Sequence, residues 1–320
     1  MRRPDDRVGG NRDRLLAIGG LLLVSLLWGS SFVVIKIAAR GFGAMGIASY
    51  RVAIAALCLV VLSFLRREKM PGDGRTVVLL LLLSVLGQIV PFVSLGVSGH
   101  LTSSQNSAMM MGGVPLFTLL IARFFLPDEG WTWRKWAALA IGFGGVLVAL
   151  TSATLGAPSS DGRLAGDLGG CLFALLAAVG YAAGAVLSRM ASKDMSPLVT
   201  CAFTMTASAV LLWGAQVWAG PVPVTADRDA WTAIILLGTV NTALAYALYF
   251  WLVKFAGATF ASLNNYIVPV IGLLFGFLVL SEDVSSGAAA GLVMILLGVS
   301  LFSPSPRAGP VSGMTDTGRH

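Results

Sequence analysis

Ten apolar spans, roughly 15–39, 44–65, 76–98, 102–126, 133–152, 166–190, 198–219, 229–255, 258–280 and 284–303, fall into two sets of five. The second set repeats the first 153–154 positions later. Trp28-Gly29-Ser30-Ser31-Phe32 leading to Lys36 returns as Tyr181-Ala182-Ala183-Gly184-Ala185 leading to Arg189. Val114-Pro115-Leu116 returns as Val268-Pro269-Val270, and Asp128-Glu129 as Glu282-Asp283. A bilayer core takes about 20 apolar residues per helix, so each span is long enough to cross. Without water at that depth the backbone must bond to itself, which forces helices. A repeat with an odd number of spans sets its second copy upside down. Two inverted halves around one site can exchange the face that is open, as in secondary transporters. The expected fold is an all-α integral membrane protein: ten transmembrane helices as two inverted five-helix repeats, 15–152 and 166–303. A polar linker at 153–165 joins them, and the ends at 1–14 and 304–320 read as disordered cytoplasmic tails.

Charge supports this reading. Only 12% of the 320 residues are charged, against roughly 25% in soluble domains, and mean hydropathy is +0.83. The net charge of +7 suggests nucleic acid until its distribution is examined. Arg2, Arg3, Arg7, Arg12 and Arg14 precede the first span. Arg66, Arg67, Lys69 and Arg75 lie between the second and third, Arg134 and Lys135 after the fourth, Lys193 after the sixth and Lys254 at the end of the eighth. Arg40, Arg163 and Arg228 lie in the opposite loops. The positive-inside rule then puts both termini in the cytoplasm of a multi-pass protein of the cell membrane, and no nucleic-acid surface is needed. The run from Leu15 to about Ala39 is too long for a secretory signal core and is followed by nine more spans.

Catalytic and cofactor signatures are lacking. Cys58, Cys171 and Cys201 fall inside spans, and neither they nor His100 and His320 have disulfide or metal-ligand spacing, so no cofactor is expected. Gly41-Phe42-Gly43-Ala44-Met45-Gly46 matches a dinucleotide fingerprint by accident: it joins two membrane spans, with no strand before it. H-E-x-x-H, G-x-S-x-G and paired deep aspartates are all missing, which argues against a membrane-embedded enzyme. A sensor or scaffold would call for an output domain, for which ten spans leave no room.

The polar residues that remain in the spans define a candidate cavity. Arg51 lies about a third of the way into the second span, and an intramembrane cation is a functional hypothesis by default. It can meet an anionic substrate or anchor the fold; Thr204 stands near its counterpart, so the charge is not duplicated. Lys36 is expected to snorkel to the interface. No acid lies deep in any span, which weighs against a buried-carboxylate mechanism for cationic drugs. Pro115 and Pro269 occupy matched places, with Pro91 in the third span. Each marks either a helix discontinuity on the substrate path or a structural kink. Gln88, Gln105, Asn106, Asn241, Thr242, Asn264 and Asn265, with Trp28, Tyr181, Tyr246, Tyr249 and Tyr266, would line a cavity for a small amphipathic or zwitterionic solute. The candidates are Trp28, Arg51, Gln88, Asn106, Pro115, Tyr181, Asn241, Tyr246, Asn264 and Pro269. Trp131, Trp133, Trp136, Trp218 and Trp231 read as interfacial anchors. The 38 glycines, including Gly180-x-x-x-Gly184, Gly272-x-x-x-Gly276 and Gly287-x-x-x-Gly291, permit close helix approach within the chain, with homodimer contact as the alternative.

Four stretches resemble the drug/metabolite transporter superfamily, and within it the EamA family. They are Leu27-Trp28-Gly29-Ser30-Ser31-Phe32 with Lys36, Tyr50-Arg51-Val52-Ala53, Val114-Pro115-Leu116 through Asp128-Glu129, and Val268-Pro269-Val270 through Glu282-Asp283, with Gly298 after them. The likeness covers about residues 15–303. It implies a ten-helix transporter with a central cavity between the repeats, exporting small metabolites such as amino acids, or xenobiotics, from a bacterial cytoplasm. Pro127-Asp128-Glu129, and Tyr181-Ala182-Ala183 in place of Trp-Gly-Ser, depart from the family pattern and bear on local detail.

Overall fold

The computed structural model describes residues 11–67, 73–125, 132–155, 163–191, 196–219, 225 and 227–301. Asp128-Glu129, Trp131, Lys193, most of the linker and most of both tails lie outside the described residues.

Every regular element described is helical. Eight helices are long and apolar enough to cross a membrane: α1 (Asn11–Ala38), α2 (Ala44–Leu65), α3 (Gly74–Leu101), α4 (Ser104–Phe125), α5 (Trp133–Leu155), α6 (Arg163–Ala191), α7 (Pro197–Ala219) and α8 (Arg228–Ala256). Two shorter apolar helices follow, α9 (Asn264–Leu280) and α10 (Ser286–Leu301). Of the ten expected spans, eight are described as long apolar helices and the last two as shorter ones. A one-turn helix, Ala258–Ala261, and a turn at 262–263 precede α9, so the ninth apolar run is divided. The outer surface of the bundle is apolar, with Phe64 and Val217 each 82% exposed. Such a surface suits lipid and not water.

Each helix has a counterpart five helices later, and the packing respects it. α1 lies against α8 and α9, as α6 lies against α3 and α4. α2 pairs with α7, α5 with α10, and α4 with α9. Exchanging each helix with its counterpart leaves this set of contacts unchanged.

Local detail repeats as well. Asp73 caps α3 by accepting from Thr76 N at 2.9 Å, and Asp227, 154 positions on, caps α8 by accepting from Ala230 N at 2.9 Å. The Thr76 backbone bond holds the Asp73 carboxyl below its ordinary range. A π turn interrupts α3 at Val85–Ile89, and another interrupts α8 at Thr239–Leu244. Such turns are uncommon and collect at functional sites. Where α3 crosses α6, Gly87 meets Gly184 so closely that a Cβ on Gly184 would sit 2.8 Å from Gly87 Cα. Gly87 corresponds to Asn241 in the other half, and there the α1–α8 crossing is hydrogen-bonded: Asn241 Nδ2 donates to Leu27 O at 2.5 Å and Ser30 Oγ at 3.1 Å.

The prolines are matched in sequence and not in setting. Pro115 is the second residue of the helical segment that resumes after Gly112-Gly113, where its missing N–H costs little, whereas Pro269 lies inside α9. Helix breaks do occur in both halves, after Met111 in α4 and before Asn264 ahead of α9, but one turn apart in register.

The small-residue motifs face neighbouring helices of the same chain. Gly180 and Gly184 meet α3, Gly272 and Gly276 meet α4, and Gly287 and Gly291 meet α5. At the α5–α10 crossing backbone meets backbone: a Cβ on Gly298 would lie 2.6 Å from Gly142 Cα and 2.7 Å from Ala138 O. These are backbone atoms with no rotamer to change. Gly298→Ala should therefore lower the melting temperature of the detergent-purified protein, at about 1–3 kcal/mol of overpacking. Gly214→Ala, which points into open space, should leave it within error.

Candidate functional site

Among the described residues, Arg51 is the one Lys, Arg, Asp or Glu side chain that the packing buries inside the helix bundle. It is 5% exposed and sits on α2 between α3 and α8. Its Nε donates to Thr242 Oγ1 at 2.8 Å, and its guanidinium carbon lies 4.3 Å from the centre of the Phe92 ring. The π turn in α8 makes the first contact: Thr242 donates its own hydroxyl proton to Leu237 O, five residues back, at 2.6 Å. That leaves the Thr242 oxygen to accept from Arg51. Phe92 stands one turn after Gln88, so the π turn of α3 delivers the stacking partner.

Aromatic rings wall this region in two matching pairs. Trp28 on α1 meets Tyr246 on α8 edge-on, centroids 5.6 Å apart at 72°. Tyr181 on α6 meets Phe92 on α3 in the same way, at 6.1 Å and 74°. Tyr246 lies 154 positions after Phe92, and Tyr181 153 after Trp28. Trp28, Tyr181 and Tyr246 are only partly buried although they lie far from the helix ends. Gln88 is 5% exposed, with its side chain beside the Tyr246 hydroxyl and its Oε1 unpartnered.

A second polar cluster closes one end of the bundle, where α1, α3 and α9 finish and α4 and α6 begin. Lys36 Nζ donates to Thr102 O at 2.5 Å, at the C-terminus of α3, where the helix dipole favours a cation. Glu282 does the converse at the N-terminus of α4, accepting from Ser104 N at 2.9 Å, Ser104 Oγ at 2.7 Å and Gln105 N at 3.1 Å. Gln105 Nε2 returns a bond to Glu282 O at 2.9 Å. Thr102 Oγ1 donates to Asp167 Oδ1 at 2.8 Å and accepts from Asn106 Nδ2 at 2.9 Å. Two pockets of about 330 Å³ each open here, both lined by Lys36 and Glu282.

Comparison with known proteins assigns the chain. The model of the EamA-like transporter family matches residues 15–151 and again 168–303. The chain belongs to this family. An inner membrane transporter of Escherichia coli strain K12, YedA, described as uncharacterized, is 25% identical over 314 residues, 94% of this chain and 97% of its own length. The transporter YyaM of Bacillus subtilis strain 168, also described as uncharacterized, is 28% identical over 284 residues, 87% of this chain and 90% of its own. A crystal structure superposes with a TM-score of 0.63 at 19% identity, covering 90% of this chain and 96% of that one, a likeness of fold alone. The family and the names of the relatives indicate a multi-pass membrane transporter and not an enzyme.

In this EamA-family protein the sequence candidates separate into three places. Trp28, Arg51, Gln88, Tyr181 and Tyr246 come together at the centre. Asn106 lies in the cluster at the Lys36 end, and Asn241 fastens α8 to α1. Asn264 is 2% exposed with its Nδ2 unpartnered, and Pro115 and Pro269 shape α4 and α9. Lys36 is half-buried at the end of the bundle and bonded to a carbonyl, because the open end of α3 lies within its reach. Trp231 also joins a ring cluster with Phe42 and Tyr50, in addition to any anchoring role. Sequence reasoning missed Phe92 and passed over Thr242 as a candidate; both stand in the 154-residue register with residues it did choose, Tyr246 and Gln88.

Glu282→Ala should lower the melting temperature by several degrees. It strips the acceptor from three donors, and each buried donor left unpaired costs about 1–3 kcal/mol. Asp283→Ala, at an exposed neighbour, should not.

Proposed function

We propose that this protein is a secondary transporter of the bacterial cytoplasmic membrane that exports a small metabolite or xenobiotic by alternating access. Its two five-helix repeats, 15–152 and 166–303, are taken as inverted, rocking about the centre occupied by Trp28, Arg51, Gln88, Tyr181 and Tyr246. The observation that carries this reading is the exchange symmetry of the helix contacts around one shared polar centre. A rigid-body exchange of two equivalent halves needs such an arrangement.

The positive-inside rule, applied to the basic loops, puts both termini in the cytoplasm and the Lys36 end on the outer face. In this orientation the bonds from Lys36 to Thr102 and from Ser104 and Gln105 to Glu282 act as the outer seal. Release of solute outward requires them to part. A charged solute moved against a 100 mV potential also needs about 2.3 kcal/mol per charge from a coupled ion or gradient.

The test is a comparison of metabolite pools. Cells expressing the protein should hold at least twofold less of some small metabolite inside, and release more of it, than matched cells carrying the vector alone. Glu282→Ala at equal membrane level should change the rate of that release by severalfold. Unchanged pools on both sides of the membrane would overturn the export reading.

A further inference from the structure

We propose that Arg66, Arg67 and Arg75, where α2 ends and α3 begins, form a binding surface for the headgroup of an anionic phospholipid.

The backbone gives the first reason. α2 closes with Arg66 N donating to Leu62 O at 3.1 Å and Arg67 N to Phe64 O at 3.0 Å. Arg67 then takes a φ of 52°, in the left-handed region, where a side chain is strained and glycine is the usual residue. Among the described residues, Ser281 is the other non-glycine residue with a positive φ. Glycine would suit the fold at this place, and the chain puts an arginine there.

Helix electrostatics give the second. Arg66 and Arg67 stand at the C-terminus of α2, where the dipole favours a cation. Arg75 is the second residue of α3, where the dipole disfavours one. Asp73, the described acid beside it, is committed to capping α3 through Thr76 N. Glu68 and Lys69, outside the described residues, cancel in formal charge. The positive-inside rule calls for basic residues in this loop and is indifferent to their exact places. An anion held between the two helix ends accounts for both misplacements, the strained Arg67 and the Arg75 set against its own dipole.

The surroundings say which anion. The side chains of Arg66, Arg67 and Arg75 are exposed and make no hydrogen bond or ion pair with a described residue. Free guanidinium forks match the oxygens of a phosphate. At the same ends of α2 and α3, Phe64 is 82% exposed, Leu65 72% and Val78 57%. A free phosphate would leave this apolar rim bare, whereas a phospholipid covers it with acyl chain while its headgroup meets the arginines. In the orientation proposed above the turn faces the cytoplasmic leaflet, where anionic lipids attract basic segments next to membrane helices.

The test is a lipid titration of the full-length detergent-purified protein read by native mass spectrometry, with phosphatidylglycerol and phosphatidylcholine of the same acyl chains. Phosphatidylglycerol should bind about tenfold tighter. Arg67→Gly separates lipid binding from a purely structural role. It relieves the strained backbone, so the melting temperature in lipid-free detergent should hold or rise while affinity for phosphatidylglycerol falls about threefold. The triple variant Arg66→Ala, Arg67→Gly, Arg75→Ala should lose the preference for phosphatidylglycerol, and Arg134→Ala, in another basic loop, should keep it. A preference that survives the triple substitution, an unchanged lipid affinity in Arg67→Gly, or an equal loss in Arg134→Ala would overturn the proposal. Displacement of the lipid by an equal concentration of glycerol 3-phosphate would also overturn it, and would assign the arginines to a soluble phosphate ester.

Discussion

A backbone group at bilayer depth has no water to turn to, and the whole bundle is arranged around that fact. A regular helix satisfies its own donors and acceptors; a π turn or a break does not. This protein nevertheless puts π turns in α3 and α8 and breaks in and before α4 and α9. The irregular segments are tolerable because other helices cover them. α6 lies over the π turn of α3, and α1 over that of α8. The Thr242 hydroxyl occupies a carbonyl that its own π turn displaces, and in doing so presents an oxygen to Arg51. The setting of Arg51 is thus a by-product of repairing the backbone: the same turn that needs a side-chain donor creates the acceptor that holds a cation in place.

Much of this was legible in the sequence because the bilayer reads sequence simply. Span length, the 153–154 residue repeat and the basic loops do not depend on packing detail, and the EamA family match covers the same two segments. The aromatic and cationic members of the centre were legible too, since Trp28, Arg51, Tyr181 and Tyr246 are conspicuous among apolar neighbours. Other features were not. Whether an asparagine lines a space or ties helices together depends on which way a helix is turned, and a π turn rotates everything after it. Asn241 points to α1 while Thr242, the next residue, meets Arg51. Lys36 was hidden for a different reason. Its partner is a carbonyl at the end of another helix, and main-chain acceptors carry no sequence signature.

The two halves share a plan without sharing chemistry. Aromatic pairs and capping aspartates are kept in both, which preserves shape. Charge is held in one copy only: Arg51 has Thr204 near its counterpart, a buried hydroxyl bonded back to Cys201 O. A cation in each half would set two like charges in one low-dielectric space, which is why a single copy is the stable arrangement.

The Gly87–Gly184 and Asn241–Ser30 crossings differ in a mechanical sense. A hydrogen bond has a length and a direction, and sliding the helices breaks it. A contact between two glycines has neither, and its surfaces can shear with small loss. In the rocking movement proposed above, the α1–α8 crossing would act as a pinned joint and the α3–α6 crossing as a bearing. The halves would then meet less resistance at the second, which gives a bundle drawn from equivalent parts a preferred place to give.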